Sequence, residues 1–196
     1  MDFRNNMVEH QRKSIRLKDY DYSQSGVYFV TICTKDRECI LGEINCRGNP
    51  CGCPLLKLSP IGEIVQKCWL EIPDRIGNVQ LDKCIIMPNH IHGIIIVAQN
   101  ERAGASPAPT LGGIIGSFKS LCVHRCIENH INITKLWQRN YYEHVIRDEE
   151  ELRRIREYII NNPLKWELDY DNPERKKEYN DFTDYLKTHL KNRFCT

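Results

Sequence analysis

The chain has 196 residues, 41% of them hydrophobic and 28% charged, which is the composition of a globular protein with enough apolar residues for one buried core. No apolar run reaches the roughly 20 residues of a membrane span, which excludes a helical membrane protein. The formal net charge of +2 permits nucleic-acid binding without calling for it, so a local basic face must carry any such contact.

The first segment, Met1 to Lys18, is polar and charged and has no apolar stretch that could serve as a signal peptide, so a cytoplasmic location is expected. Gly26 to Thr34 is rich in β-branched and aromatic residues and predicts a strand. The ten cysteines do not imply a disulfide framework, because a chain of this length does not need one. Cys33, Cys68, Cys84, Cys122 and Cys126 stand singly in apolar runs and read as small buried hydrophobes. Cys46, Cys51 and Cys53 supply three thiols with no matching CxxC partner, so residues 45–54 read as a Gly/Pro-rich loop rather than a structural zinc site.

Ser59-Pro60 opens a helix, with Ser59 as N-cap and Pro60 at the first helical position; Pro73 is expected to stop it after Ile72. Val79 to Met87 and His90 to Ala98 read as strands paired in a hairpin across Pro88-Asn89. Residues 100–110 read as a flexible linker. Leu111 to Asn129 has helical spacing, and Leu136 to Ile146 reads as extended. Asp148, with Glu151 three residues on, resembles a capping box for a helix that carries Leu152, Ile155 and Ile159 and ends at Pro163. Residues 171–196 read as a polar tail, with a helix over 181–191, following one domain over 1–170. The order of elements predicts an α+β fold: a ferredoxin-like split β-α-β with an antiparallel sheet, helices on one face, and one added C-terminal helix.

His90 and His92 alternate on a strand, so both face one side, with Cβ atoms roughly 6.5 Å apart. Two such imidazoles can ligate one divalent cation, or can be histidines of an ordinary sheet surface; the spacing alone leaves both open. With oxygen ligands added, the pair suits magnesium, manganese or zinc. Tyr158 and Asn162 lie one turn apart on one helix face. A tyrosine hydroxyl can attack a phosphodiester, but Tyr158 also fits as a core residue beside Ile155 and Ile159, and Asn162 as a stop signal before proline. Trp137, Arg139, Tyr141 and Arg147 interleave basic and aromatic side chains, as a stretch that stacks bases and holds phosphates would; an edge strand would look the same. Lys119 and Arg154 could add phosphate contacts from neighbouring helices.

Met87-Pro88-Asn89-His90-Ile91-His92-Gly93 matches the His-hydrophobic-His signature of single-tyrosine HUH transposases, and the run Trp137 to Arg147 followed by Tyr158-Ile159-Ile160-Asn161-Asn162-Pro163 resembles the REP-associated tyrosine transposases. The resemblance spans residues 14–168 and includes Tyr28-Phe29-Val30-Thr31 and Gly116-Ser117-Phe118-Lys119-Ser120. It implies that His90 and His92 are ligands of magnesium or manganese (Mg2+ or Mn2+), that Tyr158 is the nucleophile, and that Asn162 is the third ligand, where insertion-sequence relatives usually carry Gln. It further implies a single-strand DNA endonuclease and strand transferase that acts at hairpin-forming DNA through a covalent 5′-phosphotyrosine. Insertion-sequence relatives are dimers and the REP-associated branch tends to be monomeric, so monomer and homodimer both stand. Two other readings compete: a hairpin-binding protein without cleavage, which would grip DNA under any metal and leave it intact, and an unrelated metallohydrolase, whose activity would not depend on Tyr158.

Overall fold

The computed structural model describes residues 25–45, 55–98, 110–169 and 171–173. The Cys46–Cys53 segment, most of the 100–110 linker, the N-terminal segment and the helix expected over 181–191 lie outside the described residues. Four strands form one antiparallel sheet: β1 (Gly26–Cys33), β4 (Val79–Ile86), β5 (His90–Val97) and β6 (Tyr142–Ile146), in the order β4-β5-β1-β6. With helices α1 (Pro60–Leu70) and α3 (Leu111–Glu128) as the two crossovers, this is the split β-α-β topology that the order of elements predicted. A separate two-stranded ribbon, β2 (Gly42–Asn45) with β3 (Leu55–Leu58), flanks the predicted loop; its four-residue strands carry too little alternation to stand out in the sequence.

The sheet is covered on both faces, which is why β1 and β5 read as nearly continuous apolar runs. Tyr28, Val30, Ile32, Ile91 and Ile95 point to α1 and α3, where Trp69 meets Phe118 edge to face at 5.4 Å between centroids. Gly93 is required there, because a Cβ would lie 2.3 Å from the Trp69 ring. Phe29 and Ile94 point the other way, to Leu152, Ile155, Tyr158 and Ile159 of α4 (Glu149–Asn161). The added helix thus supplies the second layer and places the tyrosine against the face that carries the even-numbered residues of β5. Arg156 of α4 anchors it to β4 through Asp82 (Nε to Oδ2, 2.9 Å), at the irregularity between Leu81 and Cys84.

The helix signals act locally as expected, with two differences. Ser59 caps α1 by accepting from Gly62 N at 3.1 Å, but α1 ends at Leu70, and Pro73 lies inside a further turn, α2 (Ile72–Arg75), rather than stopping the first helix. Proline fits there because a first-turn N–H has no intrahelical acceptor. Asp148 caps α4 by accepting from Glu151 N at 2.8 Å, and Glu151 reaches back to Arg147 N at 2.9 Å, one residue before the cap. Asn162 keeps helical dihedrals, and the chain runs through a 3-10 turn, Pro163–Leu168, that leads Asp169 back under the sheet. No helix among the described residues is long and apolar enough to cross a membrane.

Candidate active site

The hairpin turn Met87-Pro88-Asn89 sets the site. Met87 N donates to His90 O at 2.8 Å, which closes the turn and starts β5 with His90 facing α4. Strand period then brings His92 to the same face, in register with Thr31 of β1 and Ile85 of β4. The two imidazoles converge, with Nε2 to Nε2 at 3.0 Å, and both residues are fully buried. Each ring is held from behind: His90 Nδ1 lies 2.9 Å from Asn89 Oδ1, and His92 Nδ1 lies 2.9 Å from Thr31 Oγ1. Burial pushes both well below the ordinary histidine range, His90 to about 3 with Arg37 adding to the effect, and His92 further depressed by its neighbour His90 against the opposing pull of Asp169. Both rings are therefore neutral near pH 7, the form that presents a lone pair to a cation.

Two other elements meet this pair. Tyr158 of α4 brings its hydroxyl to 3.2 Å from His92 Nε2, with its ring set edge-on to Phe29 at 6.0 Å. The turn after α4 brings Asp169, and the ligand atoms of His90, His92 and Asp169 all lie within 4.8 Å of one another. Asp169 Oδ2 accepts from Asn162 Nδ2 at 3.0 Å and its Oδ1 accepts from Asp171 N at 2.7 Å. Trp166 stands beside the His90 ring at 6.0 Å between centroids.

Two imidazole nitrogens and a carboxylate are a donor set suited to a divalent cation. A further observation fits that group: Asn162 Oδ1 is buried and has no hydrogen-bond partner among the described residues. A buried amide oxygen without a donor costs on the order of 1–3 kcal/mol, and a cation would satisfy it. No local pattern in the sequence marks Asp169. It stands in the acidic run Asp169-Tyr170-Asp171-Asn172, past the proline stop and beyond the helix whose periodicity aligns Tyr158 with Asn162.

The residues expected to contact nucleic acid divide into groups. Trp137 is 5% exposed and packs on Phe118 at 5.8 Å between centroids, so its ring belongs to the core. Lys119 Nζ donates to Gln138 O at 2.8 Å and Asn140 O at 3.0 Å, and lies 5.9 Å from the centre of the half-buried Tyr141 ring. Lys119, His124, Lys135 and Arg139 line a groove of about 530 Å³ whose wall also includes Leu136 and Trp137. Arg147 is exposed at the end of β6, and Arg154 is half-buried on α4 with Nε donating to Glu150 O at 3.3 Å; neither lines that groove.

No protein-family model matches the chain. It is 29% identical over 85 residues to a Haemophilus influenzae protein named "Putative REP-associated tyrosine transposase", a match that covers 41% of this chain and 47% of that protein. Among solved structures, a REP-associated tyrosine transposase bound to a REP hairpin superposes with a TM-score of 0.54 at 16% identity, covering 76% of this chain and 73% of that one, so the two share a fold. An uncharacterized Haemophilus influenzae protein is 40% identical over 174 residues, which is 82% of this chain and 92% of that protein. The chain therefore belongs to the same family as that Haemophilus influenzae protein, on a fold shared with the hairpin-bound transposase.

Proposed function

We propose that this chain is a metal-dependent single-strand DNA endonuclease and strand transferase, a transposase of the HUH tyrosine class, with Tyr158 as nucleophile and hairpin-forming DNA as substrate. The observation that carries the reading is the position of the Tyr158 hydroxyl, 3.2 Å from His92 Nε2 and so at the edge of the His90–His92–Asp169 cluster. The tyrosine and the ligands come from separate elements, which is the arrangement an attack on a held phosphate requires.

His90, His92 and Asp169 would hold the cation, and Asn162, whose amide nitrogen donates to Asp169 Oδ2, is proposed as a further ligand through its amide oxygen; magnesium and manganese are the ions favoured by the resemblance and by the oxygen donors. When bound, such a cation offsets the charge that develops on the scissile phosphate. Tyr158 forms a bond from its phenolic oxygen to phosphorus as the bond to the 3′ oxygen breaks; the phenol gives up its proton and the 3′ oxygen takes one up. The phosphodiester is exchanged for a phosphotyrosine, so a 3′ hydroxyl can attack in reverse and join strands with no nucleotide cofactor. Thr31 and Asn89 keep the imidazoles in place while this happens. Lys119, Arg139, Tyr141, Arg147 and Arg154 are proposed to hold the strand outside the site, and Trp137 to support that surface from within the core.

The test is a labelled single-stranded hairpin DNA incubated with the protein and Mn2+. Wild type should form an adduct that survives denaturation, and Tyr158→Phe should form none while remaining folded. An adduct of equal yield in Tyr158→Phe, or metal-dependent cleavage with no adduct, would rule the reading out.

A further inference from the structure

Asn89 is fully buried between two parts of the site that are remote in sequence. Its Nδ2 donates to Arg37 O at 3.0 Å and to Asp171 O at 2.7 Å. A group that faces two carbonyl oxygens must be the NH2, so the other end of the amide, 2.9 Å from His90 Nδ1, is the oxygen. An amide oxygen only accepts. His90 Nδ1 therefore carries the hydrogen, and the lone pair is left on Nε2, the atom that faces His92 Nε2 at 3.0 Å.

The second half of the same amide acts on the chain that carries Asp169. Asp171, whose carbonyl Asn89 holds, also donates its own N–H to Asp169 Oδ1 at 2.7 Å. Its carboxylate is paired with the Arg37 guanidinium at 3.2 Å and accepts from the Cys33 thiol at 3.7 Å. Asp36 and Arg37 have left-handed backbone, with φ of 53° and 58°, which non-glycine residues adopt only where their surroundings hold them. That turn presents both the Arg37 carbonyl, to Asn89, and the Arg37 side chain, to Asp171.

We propose that Asn89 is a positioning residue that couples the two halves of the metal centre: one amide sets the tautomer of His90 through its oxygen and docks the Asp169-bearing segment through its nitrogen. The proposal rests on the reading above only in taking His90 and Asp169 as ligands; the coupling itself is a property of the free protein. Removing Asn89 disturbs both halves, whereas Asn89→Asp keeps an acceptor for His90 but turns a carboxylate oxygen, which cannot donate, toward the Arg37 and Asp171 carbonyls.

The experiment uses the full chain without metal or DNA, then Mn2+ alone. Long-range 15N NMR should find wild-type His90 protonated at Nδ1. In Asn89→Ala that preference should be lost, amide exchange at Asp169, Asp171 and Asn172 should quicken, and Mn2+ affinity should fall about 10–100-fold. In Asn89→Asp the tautomer should persist while amide exchange at Asp171 quickens as in the alanine variant. Wild-type His90 protonated at Nε2 overturns the proposal without recourse to any variant, as does a folded Asn89→Asp whose Asp171 exchange matches wild type. Loss of DNA cleavage plays no part in these readouts, so a failed nuclease reading and a failed coupling are told apart.

Discussion

Tyr158 combines two roles that sequence could not separate. Its ring completes the layer between the sheet and α4 and lies 5.2 Å from the His92 ring between centroids, and its hydroxyl reaches His92 Nε2 at 3.2 Å. Tyr158→Phe keeps the ring contacts, so its stability should change by no more than about 1.5 kcal/mol, the net worth of one hydrogen bond, when followed by thermal denaturation. The adduct should be lost entirely, which separates chemistry from packing. Lys119 offers a pH test at the same scale. Burial pushes its ammonium down from 10.5 to about 8, against a small opposing pull from Cys33. The folded state then binds its proton less tightly than the unfolded state, so Lys119 carries a penalty at pH below 8 that is relieved as pH rises toward 10.5. The stability of wild type relative to Lys119→Met should therefore rise across that window, measured by urea denaturation at several pH values; a flat difference would show that the lysine is not held as described.

At the scale of elements, the strand and the turn after α4 contribute differently to the site. β5 is clamped between β1 and β4, and Gly93 leaves room for the Trp69 ring against it. Gly93→Ala would set a methyl carbon 2.3 Å from that ring, and the repacking should cost about 1–3 kcal/mol, read as a lowered melting temperature. The turn from Pro163 to Leu168 delivers Asp169, whose charge an amide does not match. Asp169→Ala should weaken Mn2+ binding more than Asn162→Ala does, by titration calorimetry; the opposite order would make Asn162 the principal third ligand, the role the resemblance implied for it.

At the scale of the molecule, what was legible follows from periodicity. His90 and His92 could be placed on one face because strands alternate, and Tyr158 with Asn162 because helices repeat near four residues. The four-stranded topology followed from the order of elements and the two crossovers. Asp169 was not legible, because its position depends on Asn162, Asp171, Arg37 and Asn89, contacts between chain segments that no local pattern encodes. The burial of Trp137 was hidden for a related reason: a basic and aromatic run reads alike whether its rings face solvent or, as here, Phe118.

If Tyr158, held beside the histidine pair, takes up the DNA, then trypsin digestion of the wild-type adduct and mass spectrometry should locate the nucleotide on it. Cleavage after Arg156 and Lys165 isolates Tyr158 in residues 157–165, whereas Tyr141 and Tyr142 fall in residues 140–147. The account predicts a 5′-phosphate linkage on the peptide that contains Tyr158; a nucleotide on the peptide that contains Tyr141 and Tyr142, or on neither, would contradict it.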